Sequence, residues 1–373
     1  MDKCIQKKMK IDSYNSFRGI CALGILFSHM SYLSAADNIF WKLLYDHFMQ
    51  FGSRCSSFFF IMSGFLLAYT WKDVCFKVYI SGKLKRIYPL TISVFFLALG
   101  CSFILNDTVN GDMLVGSPLW MLSIVLNLVM LKAFVPIESV FYSFHGPSWY
   151  ISVLFVFYVI GYFIIKKIKC SKDKNRMQIK MCVGIMFVYV IQFLLCFWID
   201  KNEFVNLRLY LAYINPYFRI FGEGMLGVLL CEYMSQIQKK IKSWNKSVLE
   251  IAAMIVFVNF FVLNNFFHIS VWSAWVWFIP FSFVLIVFYK DAGIVSRLLK
   301  GSFWQFLGDI SFEVYMTHAF VYEGIPIAVG VVSKDLSNWI VYHAGIRFVI
   351  TLIASVAFAW IVHIVFHFKK LKK

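Results

Sequence analysis

Apolar runs close to 20 residues recur along the chain, separated by short segments rich in lysine and arginine, and this alternation predicts membrane-spanning helices. Spans are expected at about 12–33, 52–71, 87–106, 148–166, 181–199, 209–231, 248–266, 272–289, 303–330 and 346–368. An eleventh apolar stretch is read differently. If 118–135 crossed, the basic run Lys166 to Arg176 would lie outside, against the retention of short basic loops in the cytoplasm. It is therefore assigned as a re-entrant or interfacial piece within one external loop. Ten spans with both termini cytoplasmic bring 27 of the 36 lysines and arginines to the inward side: those before span one and those in 72–86, 166–180, 239–246, 290–300 and 369–373. The expected fold is an all-α polytopic integral membrane protein with about ten transmembrane helices and a re-entrant segment near 118–135. No loop is long enough for a second domain and no internal repeat is visible, so 1–373 reads as a single membrane-embedded domain.

Composition agrees, with 61% hydrophobic, 20% aromatic and 15% charged residues. A net charge of +17 would suit nucleic acid on a soluble fold, but here the basic residues sit between apolar spans and report topology. The expected surroundings are a lipid bilayer, with no nucleic-acid partner. Nine scattered cysteines without a C-x-x-C pair read as small, reduced apolar residues. His363 and His367 lie four apart on the last span, but two ligands without a third predict no metal site. Lys7 to Lys10 followed by Ser34-Ala35-Ala36 imitates a signal peptide, yet Arg18 and His29 interrupt its apolar region, which is read instead as span one.

Those two residues are the most informative in the chain. Eleven positions apart, they make three helical turns plus about 20°, sharing one stripe with about 16 Å between them along the axis. A charge at bilayer depth costs roughly 2.5–3.5 kcal/mol, so both are expected to face the protein interior. The competing reading is that Arg18 snorkels to head groups and His29 is an interfacial histidine. Four further stretches carry polar residues in apolar surroundings. Phe58 to Leu67 contains Ser63-Gly64, which lets another backbone approach. Lys83-Leu84-Lys85-Arg86-Ile87-Tyr88-Pro89 is a basic cluster ended by proline, read either as membrane anchoring or as phosphate binding. Gly146-Pro147-Ser148-Trp149-Tyr150-Ile151-Ser152 opens span four, where a tryptophan also serves as a plain interfacial anchor. Leu307 to His318 sets Ser311, Tyr315 and His318 at i, i+4 and i+7, a polar stripe in span nine.

In this order, and over nearly the whole chain, these segments resemble the membrane acyltransferase-3 family of polytopic O-acyltransferases that modify surface polysaccharides and related acceptors. The R-x10-H signature falls on Arg18 and His29, and F-F-x-x-S-G-F on Phe59, Phe60, Ser63, Gly64 and Phe65. R-I-Y-P falls on Arg86 to Pro89, W-x-x-S on Trp149 and Ser152, and L-G-x-I-S-[YF]-x-x-Y-x-x-H on Leu307 to His318. The resemblance implies transfer of an acyl group, acetyl in the first instance, from acyl-CoA to a hydroxyl of a surface or lipid-linked carbohydrate. His29 is then the general base. Arg18, Lys83 and Arg86 hold the anionic end of coenzyme A, and Trp149, Ser152, Ser311, Tyr315 and His318 line the acceptor side or stabilise the oxyanion.

Two departures stand out. The first basic position of the R-I-Y-P element is Lys83 where relatives often have arginine, which loses bidentate phosphate gripping. Leu154 and Phe155 also stand where many relatives place a glutamate after the W-x-x-S element, leaving Glu223, Asp309 and Glu313 as intramembrane acids. From the residues alone, two other functions stay open: a carrier for a lipid-linked sugar or small anion, and transfer of succinyl or longer acyl groups to a small metabolite. The topology is directly testable. In a cysteine-free background, single cysteines at Lys172 and Lys334 are expected to react with an impermeant thiol reagent from opposite sides of the membrane. Reaction from one side overturns the treatment of 118–135.

Overall fold

A computed structural model describes residues 10–105, 113–201, 214–266 and 276–371. The first residues of the predicted spans 209–231 and 272–289 lie outside the described residues, as do Cys4 and Lys7 to Met9 of the signal-like stretch. The described chain is helical throughout and contains no strand.

Helix α1 (Asp12–Ser28) starts where Asp291 caps it from another part of the chain. The backbone N–H groups of Asp12 and Ser13 donate to the Asp291 carboxylate at 2.8 and 3.2 Å. That satisfies two of the four N–H groups every helix start leaves open, and sets a negative charge at the positive end of the helix dipole. After α2 (Ile39–His47), capped by the Asn38 side chain, α3 (Cys55–Tyr69) carries the Ser63-Gly64 pair. Next come α4 (Phe76–Leu105), which contains Pro89, α5 (Pro118–Leu128), α6 (Trp149–Cys170) and α7 (Lys174–Lys201). A π-helical turn, Arg219–Gly224, leads into α8 (Met225–Lys240), followed by α9 (Lys246–Phe266) and α10 (Phe278–Val287). The last elements are α11 (Ser302–Asp309), α12 (Ser311–Val332), α13 (Lys334–Tyr342) and α14 (Ala344–Leu371).

Among the described residues, six helices are long and apolar enough to cross a membrane: Ile39–Tyr69, Phe76–Phe103, Gly146–Cys170, Lys174–Leu195, Ser311–Val332 and Ala344–His367. Against the ten expected spans, two differences have clear causes. The stretch 12–33 forms a helix of only 17 residues followed by a 3-10 turn at Ser31–Ala35, and 303–330 is two helices broken at Ile310. The stretch 118–135 holds an 11-residue helix, about 16 Å long, well short of a ~30 Å hydrocarbon core. Just past its end Met130 takes a left-handed conformation, with φ 54°.

The core is built on close helix approach and on one buried charge network. Gly64 and Gly227 mark the α3–α8 crossing, where a Cβ on either glycine would collide with a backbone carbonyl of the partner element, that of Gly224 or Ile61. Beside this crossing Arg219 and Glu223, both buried, pair at 2.6 Å one helical turn apart. Arg219 also donates to Ser57 Oγ, and its Nε to Asn215 Oδ1 at 3.0 Å. Its fork is thus spent on holding α3 against the π-turn.

Both features give expected outcomes. Gly227→Ala forces backbone apart and is expected to lose about 1–3 kcal/mol or more, read as a lower thermal midpoint in detergent. Gly184→Ala, where a Cβ meets nothing within 4 Å, is expected to leave the midpoint unchanged. Glu223→Ala leaves a buried guanidinium uncompensated and is expected to cost about 3–5 kcal/mol, whereas the double change Arg219→Met/Glu223→Leu recovers most of that loss.

Candidate active site

The polar residues of four separate motifs meet around one cavity of about 210 Å³. Helix α1 contributes Arg18, α3 Phe59 and Ser63, α4 Lys83 and Arg86, α6 Tyr150 and Tyr158, and α12 Ser311 and Tyr315. A second cavity of about 670 Å³ lies alongside and shares Arg18 and Arg86, adding Lys85, Asp309, Glu313, His363 and His367. The two guanidinium groups therefore border both spaces. Arg18 reaches only a long 3.4 Å hydrogen bond to Asn15 Oδ1, so most of its five donors are available to an anion. Asn15 in turn donates to Asp309 Oδ1 at 2.8 Å. The Lys83 ammonium lies 4.9 Å from the centre of the Tyr158 ring and 5.6 Å from that of Tyr79, a cation–π setting that keeps it at the cavity wall. This end, with its Lys and Arg side chains, is the basic end of the site.

His29 lies away from these cations. It follows the last residue of α1 but keeps helical dihedrals (φ −84°, ψ −8°), so the stripe with Arg18 persists through it. The His29 side chain is exposed, and its ring centre is 4.8 Å from that of buried His318. His318 Nδ1 is 2.7 Å from the Tyr315 carbonyl oxygen, which can only accept, so the hydrogen-bond pattern assigns the proton to Nδ1. Its Nε2 then carries a lone pair, and that atom is buried without a partner. Tyr315 bridges the two ends: it lines the smaller cavity, its ring lies 5.9 Å from His318, and its hydroxyl donates to the Pro147 carbonyl at 2.6 Å. Ser311 donates to the Gly308 carbonyl at 2.7 Å, closing the break between α11 and α12.

Of the expected site residues, Arg18, Lys83, Arg86, Ser311 and Tyr315 share the smaller cavity, and His29 and His318 adjoin one another beyond it. Trp149 and Ser152 do not reach that cavity. Trp149 stacks on Phe141 at 5.8 Å and 22°, and Ser152 is buried in a small space with Thr91, Asn127 and His145. His145 went unnoticed in the sequence because it stands alone there. It is buried, both ring nitrogens lack partners, and it stacks on Phe320 at 5.2 Å and 14°. Burial, and after it the nearby Lys132 charge, holds its imidazole well below the usual histidine range. Lys132, itself buried, donates to the Ser143 and His145 carbonyls at 2.8 Å each and fixes this loop. Tyr150 and Tyr158 were also missed, since tyrosines in an apolar span carry no distinguishing pattern.

Residues 11–364 match the sequence pattern of a family described as an acyltransferase domain. The chain is also similar to acyltransferase MdmB of Streptomyces mycarofaciens, 27% identical over 166 residues that make up 43% of this chain and 41% of that protein. The similarity thus spans less than half the length of that relative. No solved structure matches the chain. With its motifs gathered in one place and the family pattern running over nearly its whole length, the chain belongs to the acyltransferase-3 family.

Proposed function

We propose that this protein is a single membrane-embedded domain that transfers an acyl group, acetyl in the first instance, from acyl-CoA to a hydroxyl of a surface or lipid-linked carbohydrate. The observation that carries the reading is the shared cavity, whose lining combines Arg18, Lys83 and Arg86 with Ser63, Ser311 and Tyr315. The cations suit the phosphates of coenzyme A, and the narrow remainder suits an extended pantetheine arm. In this proposal the basic end faces the cytoplasm, ten segments cross a bacterial plasma membrane with both termini inside, and 118–135 re-enters from the outer face.

His29 takes the proton of the acceptor hydroxyl as its oxygen attacks the thioester carbonyl. The tetrahedral oxyanion collapses, the carbon–sulfur bond breaks, and the thiolate of coenzyme A leaves and recovers the proton from the His29 imidazolium. His318, with an unprotonated Nε2 in the neighbouring ring, is suited to accept from His29 and fix its orientation. Ser311 and Tyr315 have their hydroxyl protons committed to carbonyl groups, so their part is to shape the cavity around the thioester until substrate displaces those bonds.

His29→Ala is expected to leave acyl-CoA binding within a few-fold of wild type while lowering turnover by about 10²-fold or more. Arg18→Ala is expected to act mainly on donor affinity. Both variants are purified, shown to be monodisperse, and assayed separately for acyl-CoA binding and for transfer. A His29→Ala protein that acylates at near wild-type rate removes the base assignment and moves it to His318.

A further inference from the structure

Outside the chemistry just proposed, one group of ligating side chains gathers on the wall of the larger cavity. His363 and His367 lie one turn apart on α14 with their rings stacked at 4.4 Å and 23°. From α12, Glu313 presents its Oε1 at 2.8 Å from His363 Nδ1 and 3.6 Å from His367 Nδ1. One ligand atom from each residue falls within 4.8 Å of the other two. Tetrahedral ligands at about 2.0–2.1 Å from a zinc ion stand roughly 3.3 Å apart, so two of the three spacings bracket the required value. The third closes by side-chain rotation.

Two features go beyond an ordinary carboxylate–histidine pair. Glu313 is 3% exposed and its second oxygen, Oε2, is buried without any hydrogen-bond partner among the described residues, a condition a carboxyl group tolerates poorly. The two imidazoles, by contrast, are 25% and 34% exposed on the side that lines the cavity, so an ion can reach them. His367 Nδ1 also stands 3.2 Å from the His363 carbonyl oxygen, a bond it would give up on binding. Arg18, Lys85 and Arg86 share the cavity, and their charge weakens any cation site there without removing its ligands.

We infer that Glu313, His363 and His367 form a two-histidine, one-carboxylate site for a single divalent transition-metal ion, with Zn²⁺ the best match and Co²⁺ a usable substitute. Three protein ligands leave at least one position open toward the larger cavity, where water or an oxygen of a bound anion completes the shell. The sequence alone provided two ligands four residues apart; the third comes from a helix 50 residues away. The inference rests on this geometry and not on the identity of the acyl donor.

The test uses the full chain in detergent, purified through a tag without histidines and stripped with a chelator. Titration of Zn²⁺ against a chromophoric competitor is expected to give one equivalent per chain, and Co²⁺ to give visible d–d absorption from a low-symmetry site. His363→Ala/His367→Ala is expected to weaken binding by at least about 10²-fold, because even outer-shell changes at metal sites cost 10–100-fold. Glu313→Gln and His367→Ala alone each weaken it measurably, and His367 is exposed enough for that variant to fold. His343→Ala, on a half-buried histidine that bonds to the Trp339 carbonyl, is expected to bind as wild type does. No stoichiometric binding, or one equivalent retained by the monodisperse double variant, overturns the site and leaves Glu313 and His363 as an ion pair only.

Discussion

A helix that carries polar side chains through an apolar body has to be met by a partner at each one, and α1 is where that constraint governs the molecule. Asn15, Ser16 and Arg18 all lie on its first two turns. Asp291 takes the first N–H groups, Ser16 donates to the Leu299 carbonyl at 2.6 Å, and Asn15 donates to Asp309. Gln305 knits the rest, its amide nitrogen within 2.8 Å of Ser16 Oγ and 3.0 Å of the Asp12 and Leu299 carbonyls. Gly19 and Gly308 then let α1 and α11 touch at backbone distance, which no larger residue permits without displacement. The position of Arg18, and the axial reach from it to His29, follow from this lock.

The lock also explains why the Leu307 to His318 signature is broken in the middle. Gly308 belongs to α11 and presses on Asn15, while Ser311 begins α12 and faces the cavity. A continuous helix through Ile310 would keep one phase and could not present the first half of the motif to α1 and the second half to the cavity. Sequence periodicity reads such a stretch as one span, because apolar residues recur on both sides of the hinge with no proline or long polar run between them.

The site was legible where function imposes a local pattern and opaque where it depends on packing between distant elements. Arg18 and His29 stand out because charge in an apolar run is costly. Ser63-Gly64 announced a close crossing, and Gly64 meets Gly224 there. Burial of the Ser311, Tyr315 and His318 stripe likewise follows from its spacing. Nothing in the sequence, however, pairs Arg219 with Glu223 rather than with a ligand, or brings Glu313 to His363 across 50 residues. Glu250 was not counted among the intramembrane acids at all, yet it is buried and accepts from the Gly293 and Ser296 backbone at 2.7 and 2.9 Å, holding a helix start in place. These contacts are set by which helices adjoin, and composition does not carry that information.

The remaining question is what replaces the glutamate that relatives often place after the tryptophan–serine element. Leu154 fills that side of the cavity, and the nearby acids are spoken for: Glu223 by Arg219, Asp309 by Asn15 and Glu313 by His363. A base that works without a carboxylate behind it needs some other acceptor to hold its ring. In the mechanism proposed above His318 meets that need, since the Tyr315 carbonyl fixes its Nδ1 proton and leaves Nε2 without a partner among the described residues. A neutral acceptor in that role orients the His29 ring without setting a full negative charge behind it. That arrangement suits a step in which the proton taken from the acceptor must soon be returned to a departing thiolate.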